Sequence, residues 1–181
     1  ASLKAVSDQW LRSKHAREKH FSLGSFNENY LKNFPIAVVR LHGEIFAFAN
    51  IWTNAARTEF SADLMRYRPQ NTPGGIMDYL FANLIVWGQT QAGFEWMNLG
   101  MAPLSGLENH EFSPLWLRLG SLVYRHGEHF YNFQGLRQYK EKFCPRWEPK
   151  YLASPGGLAV PKILADISVL ISGSVRGILF R

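Results

Sequence analysis

Residues 36–101 constrain the fold most tightly. IAVVRL (36–41), the turn residues His42 and Gly43, and IFAFANIW (45–52) have the β-branched and aromatic composition of a β-hairpin around a glycine. FSADLMRY (60–67) continues as a third strand. After the turn-rich RPQNTPGG, the segment IMDYLFANLIVWGQTQAG sets Met77, Leu80, Phe81, Leu84 and Trp87 on one helical face. Gly93 ends that helix, and FEWMNLGM (94–101) returns as a strand. A hairpin pairs its strands antiparallel, whereas a helix between two strands is a crossover that pairs them parallel. Both occur here, so the expected fold is α+β with a mixed sheet.

The flanking segments are predominantly helical. Leu3, Val6, Trp10 and Leu11 recur at helical spacing within residues 3–19, and the Ser and Gly of HFSLGSF interrupt that pattern. A short strand and then a short helix in NENYLKNF are expected before Pro35. Ser113 followed by Pro114 reads as a helix start, for a helix to about Arg125, and GLRQYKEKF as a shorter helix. Ile163, Leu164, Ile167, Leu170 and Ile171 mark an amphipathic helix in the tail, with Pro161 near its start. Its charged residues are few, which favours packing on the protein over lying on lipid. Residues 1–20 read as a helix leading into a single domain, 21–181. The order of elements is that of a GCN5-related N-acetyltransferase (GNAT)-like fold, which by itself fixes no chemistry.

Composition narrows the partners. The 181 residues carry a net charge of +6, favouring an acidic partner such as nucleic acid, an anionic membrane surface or a phosphorylated substrate. Cys144 is the single cysteine, so an intrachain disulfide and a thiolate zinc cage are both excluded. It also lacks any sequence signature of an activating base. His126 and His129 flank Gly127 with no third ligand at standard spacing, so no metal is expected. No apolar run is long enough to span a bilayer, and the first residues lack the pattern of a signal peptide.

Two places could carry chemistry. The loop RYRPQNTPGG (66–75) sits where acetyltransferases of this fold hold a pyrophosphate, but only Gly74 and Gly75 remain of the spaced glycines. It reads as a plain turn or a site for some phosphate, more than as a coenzyme A site. Asp63 and Arg66 lie inside an apolar strand, where each is costly to bury unless paired or placed in a cleft. Positions three apart on a regular strand face opposite sides, so a shared site requires a bulge.

Taken together, DLMRYRP, GGIMDYLF, FEWMNLGMAPLSGL and YNFQGLRQYKEKFCPRWEPKYLASP closely resemble the C-terminal catalytic region of the aminoacyl-phosphatidylglycerol synthases, the multiple peptide resistance factor (MprF) family. The YKxKF piece is also similar to the FKxxF element of the Fem peptidyltransferases. The MprF resemblance implies transfer of lysine or alanine from aminoacyl-tRNA to phosphatidylglycerol at the cytoplasmic face of the bacterial membrane, lowering its attraction for cationic peptides. It implies as partners the tRNA, the lipid surface, a preceding GNAT-like domain and a membrane flippase region, with this stretch as the soluble second half of a tandem pair. No metal or cofactor is implied, because the aminoacyl ester is already activated.

By the same resemblance, Lys140 in YKxKF is the candidate for contacting the oxyanion or the terminal tRNA phosphate, with Lys142 second. Asp63 and Arg66 match the family's DxxR pair. Asp63 is assigned to the amino acid's ammonium group or to base duty, and Arg66 to orienting it or to phosphate. Arg68, Asn98, Met101 and Tyr131 complete the expected substrate-binding set. Alternative readings are a Fem-type transfer to a peptidoglycan precursor, a non-catalytic RNA-binding module, and an acetyl-coenzyme A enzyme, which the degraded glycine loop disfavours.

Overall fold

The computed structural model describes residues 2–14, 18, 24–103, 105, 133–151, 153–155 and 159–172. The expected helix over 113–125, His126, His129 and Tyr131 lie outside the described residues. The chain divides into two compact units, Ala1–Asn98 with Tyr151–Arg181, and Leu99–Lys150.

In the first unit α1 (Ser2–Ser13) and α2 (Glu28–Leu31) precede three antiparallel strands, β1 (Ile36–Leu41), β2 (Glu44–Thr53) and β3 (Glu59–Tyr67). Helix α3 (Ile76–Trp87) runs into a π-helical turn (Gly88–Ala92) and crosses back to β4 (Trp96–Asn98), which pairs parallel with β3. The sheet order β1-β2-β3-β4, antiparallel as far as β3 and parallel between β3 and β4, is the mixed sheet of the expected α+β fold. The hairpin turn works because His42 (φ 48°) and Gly43 (φ 82°) are both left-handed, the backbone hand that matches strand twist in a two-residue connection. Helix α5 (Ala159–Ser172) follows the second unit, in the tail segment expected to be helical. Two elements are shorter than expected. Helix α1 stops at Ser13, where Ser13 Oγ turns back onto the Trp10 carbonyl (2.8 Å), and β4 pairs over three residues, starting at Trp96 because β3 begins at Glu59 opposite it. Residues 24–27 are not a strand.

Each sheet face has its own core. Ala49, Ile51, Phe60, Leu80, Leu84 and Phe94 form the cluster under α3, with Met77 and Trp87 packed against it, so the α3 face read from the sequence is the buried one. Val6, Leu31, Ile45, Phe48 and Leu64 form the second cluster, under α1 and α2. Strand β2 is covered on both sides, which explains why its sequence is almost continuously apolar instead of alternating.

At the end of α3 the rings of Phe60, Trp87 and Phe94 meet with centroids 5.0 to 5.9 Å apart. Gly88 sits directly on the Phe60 ring, and an added Cβ there would overlap it. Gly88→Ala therefore gains a little helix propensity but must displace a ring fixed by two neighbours. The overlap wins, and the variant is expected to lose about 1–3 kcal/mol of stability in denaturant titration.

Candidate functional site

Strand β3 is irregular where its two charges lie. Between the pairs Ala49↔Met65 and Ile51↔Ala62, β2 advances two residues and β3 three, so Asp63 and Leu64 together oppose Asn50. Asn50 is fully buried in the middle of β2, and its Oδ1 accepts from the Leu64 amide at 2.7 Å. This is the bulge that a shared face for Asp63 and Arg66 requires. Leu64 joins the α1/α2 cluster, and Asp63 and Arg66 find their partners on that side too.

Asp63 and Arg66 are not paired with one another in these contacts. Asp63 Oδ2 accepts from Tyr30 Oη at 2.9 Å, and Tyr30 Oη accepts from Trp52 Nε1, also at 2.9 Å. Burial is the main reason the Tyr30 phenol titrates above its ordinary 10.0, with the Asp63 hydrogen bond and charge adding to it and the Trp52 and Asn50 side chains opposing. Gly24 lies against the bulge: a Cβ there would stand 2.7 Å from Asp63 Oδ2 and 2.8 Å from both Leu64 Cβ and the Leu64 amide nitrogen. Only glycine fits without moving the carboxylate.

Arg66 is 8% exposed. Its Nη2 donates to Glu18 Oε2 at 3.1 Å, and its guanidinium carbon lies 4.1 Å from the centroid of the Trp10 ring. Burial lowers its pKa from the ordinary guanidinium value despite the opposing effect of Glu18, but arginine still keeps its proton. Nε has no hydrogen-bond partner among the described residues. Arg68 is bound to Glu44 Oε2 through Nη1 at 2.6 Å and lies over Phe46, 4.8 Å from its centroid. The loop beyond it is closed by Thr72 Oγ1 donating to the Arg68 carbonyl (2.6 Å), and Gly75 begins α3 at φ 79° with no side-chain cap. Gln9, Arg12, Arg68, Gln70 and Asn71 line an open groove of about 610 Å³ beside this loop. Asn98 is exposed on β4 and donates to Glu59 Oε1 at 2.8 Å.

The second unit holds Lys140, Lys142 and Met101. Lys140 lies near the end of α4 (Phe133–Glu141), is 6% exposed, and donates from Nζ to the Met101 carbonyl at 2.9 Å. Burial with no carboxylate partner among the described residues pulls its amine down from 10.5 to about 8. The Met101 side chain itself is exposed, so its recorded contact with this group is through the backbone. Lys142 is exposed, with Nζ 5.2 Å from the Tyr139 ring centroid. The Arg137 guanidinium carbon lies 3.6 Å from the Trp147 ring centroid and Arg137 Nε donates to Glu141 Oε1 (2.6 Å), so the interleaved aromatic and basic residues of this segment partly serve one another. No group of three or more candidate metal ligands occurs among the described residues, and none of their helices is long and apolar enough to cross a membrane.

Reasoning from the sequence missed Tyr30, Trp52, Gly24, Asn50, Glu18 and Trp10. Asn50 was the one with a visible signal, a lone amide inside the apolar run IFAFANIW. Tyr30, Gly24, Glu18 and Trp10 reach β3 across 33 to 56 residues of chain, and Trp52 joins through Tyr30, 22 residues away, separations that no local pattern encodes.

The family model described as "Phosphatidylglycerol lysyltransferase, C-terminal" matches residues 1–154. The phosphatidylglycerol lysyltransferase of Bacillus subtilis is 44% identical over 153 residues, covering 83% of this chain and 17% of that protein. That of Staphylococcus epidermidis is 40% identical over 152 residues, covering 83% and 18%. A solved C-terminal domain from Agrobacterium fabrum, described as that of a lysylphosphatidylglycerol synthetase, superposes with a TM-score of 0.79 at 45% identity, covering 97% of this chain and 51% of that one. The L-PGS of Bacillus licheniformis superposes with a TM-score of 0.77 at 42% identity, covering 95% and 51%. The chain thus spans under a fifth of the length of these relatives and about half of these solved chains.

The displaced titration of Lys140 has a stability consequence. Folding lowers its pKa, so from about pH 8 to 10.5 the unfolded chain binds more protons and stability rises with pH. The cost of burying the charge is present in full below pH 8. Lys140→Met removes that cost, so its stability relative to wild type is expected to be greatest below pH 8 and to shrink towards pH 10.5. Paired denaturant titrations across that range measure this.

Proposed function

The chain belongs to the phosphatidylglycerol lysyltransferase C-terminal family, and from that premise we propose that it carries out aminoacyl transfer from aminoacyl-tRNA to phosphatidylglycerol at the cytoplasmic face of the bacterial membrane. The preceding GNAT-like domain and the membrane region of the whole protein are its working partners, and resistance to cationic peptides is the consequence. In the reaction a glycerol hydroxyl oxygen attacks the ester carbonyl carbon. The carbonyl oxygen takes up negative charge, the bond to the tRNA ribose oxygen breaks, and the hydroxyl proton ends on that ribose oxygen. One ester replaces another, so the demands are positioning, proton transfer and charge stabilisation.

The observation that carries this reading is Lys140, a buried amine that donates to a backbone carbonyl and has a pKa of about 8, inside the family-matched span. Such a group presents charge in a place shielded from water, where it acts more strongly on an oxyanion than an exposed lysine could. Asp63, with Oδ2 occupied by Tyr30, receives the ammonium group of the amino acid through Oδ1. Arg66, a permanent charge already held by Glu18 and Trp10, serves to orient that group or to meet a phosphate. Asn98, Lys142 and Arg68 contribute contacts to the substrates.

Incubation of the whole catalytic region with phosphatidylglycerol and separately charged lysyl- and alanyl-tRNA, followed by lipid analysis, tests the proposal. Lys140→Ala is expected to lower kcat by about 100-fold and Asp63→Ala by at least about tenfold. Because the charged amine is the active form, wild-type kcat falls as pH rises through about 8. Absence of aminoacylated lipid with either charged tRNA overturns the function, and normal transfer by a variant overturns the role of that residue.

A further inference from the structure

The contact around Asp63 has a direction fixed by chemistry. An indole N–H can only donate, so in the 2.9 Å contact between Trp52 Nε1 and Tyr30 Oη the phenol oxygen is the acceptor. Tyr30 has one proton, and in its 2.9 Å contact with Asp63 Oδ2 the carboxylate can only accept, so that proton points at the carboxylate. The chain Trp52 N–H to Tyr30 O–H to Asp63 therefore runs one way, from a half-exposed indole to the charged residue on the bulge. Phe34 braces it from the side, with its ring centroid 4.9 Å from that of Tyr30 and 6.1 Å from that of Trp52. Gly24 backs Oδ2, and Asn50 fixes the adjacent Leu64 amide. Two further constraints thus meet at the same carboxylate.

We infer that Tyr30 and Trp52 are positioning residues for aminoacyl transfer, acting as a one-way hydrogen-bond relay that locks the Asp63 carboxylate with Oδ1 turned to the substrate. The inference rests on the proposed role of Asp63. Neither aromatic residue touches the reacting atoms. Cutting the relay anywhere frees the carboxylate to rotate, so the effects of cutting it at two points do not add. Trp52 is 44% exposed, so a loss of activity on removing its N–H is not what a surface aromatic would otherwise give.

The test uses Tyr30→Phe, Trp52→Phe and the double variant in the whole catalytic region, where each change keeps the ring. Tyr30→Phe is expected to lower kcat about tenfold with little change in KM for the charged tRNA, and Trp52→Phe by about threefold. The double variant is expected to match Tyr30→Phe alone. A second readout needs no activity: ultraviolet titration of the Tyr30 phenol, assigned by its absence in Tyr30→Phe. Its pKa, raised above 10.0 in the wild type, is expected to rise further in Trp52→Phe, where the stabilising donor is lost, and to fall in Asp63→Asn. Unchanged phenol titration in Trp52→Phe, or fully additive losses in the double variant, overturns the relay. If the phenol responds as expected but Tyr30→Phe transfers at the wild-type rate, the relay exists and its positioning role is overturned, while the proposed function stands. If the wild type transfers nothing, the proposed function fails, and the positioning role fails with it.

Discussion

The hydrogen bond from the Leu64 amide to Asn50 Oδ1 is the contact on which the arrangement of the first unit turns. A regular β3 would place residues 60, 62, 64 and 66 on one face, putting Leu64 and the guanidinium of Arg66 against the apolar cluster under α3. The extra residue opposite Asn50 reverses the phase after Ala62. Met65 then faces α3, Leu64 enters the cluster under α1 and α2, and Arg66 reaches Glu18 and Trp10. A side-chain amide can do this because it supplies an acceptor where the bulge leaves a backbone donor without a ladder partner. A buried donor left unmade costs about 1–3 kcal/mol. Asn50 is thus a polar residue kept in the core for geometry.

The two buried cations show how the same desolvation gives different outcomes. Arg66 has a carboxylate at 3.1 Å and an aromatic face at 4.1 Å, and its delocalised charge survives burial. Among the described residues Lys140 has a backbone carbonyl as its partner and no carboxylate, and its charge is compact, so burial is expressed as a pKa of about 8. The first is suited to holding a fixed charge in place. The second changes protonation near the pH of the cell, which suits a group facing charge that appears and disappears during a reaction. Burying an ion pair is weak evidence for stability, since the Coulomb gain roughly offsets desolvation. The Arg66–Glu18 pair is therefore better understood as holding the Arg66 guanidinium in one orientation than as a source of net stability.

The segment around Lys140 illustrates how composition alone leaves such stretches ambiguous. Its aromatic and basic residues look from the sequence like a nucleic-acid surface. In the structure Arg137 is spent on Trp147 and Glu141, Tyr139 packs edge-on to Phe143, and Lys140 turns inward. Charge counts overstate what such a segment offers to a partner whenever its cations are engaged internally.

The strands 36–41, 45–52 and 60–67, the α3 face and the crossover to β4 were all legible in the sequence, because each depends on local propensity and a short-range period. So were the motifs carrying Asp63, Arg66 and Lys140, and the need for a bulge if the first two were to share a face. Tertiary structure alone decided the rest. It placed the bulge opposite Asn50, gave Asp63 to Tyr30 and Arg66 to Glu18 and Trp10, and made Gly24 obligatory beside the carboxylate. Lys140, already the first candidate by its place in YKxKF, owes its burial against the Met101 carbonyl to folding alone. The physical reason is the same in each case: a period records which way a residue faces, whereas a partner's identity and the local dielectric depend on chain segments that only folding brings together.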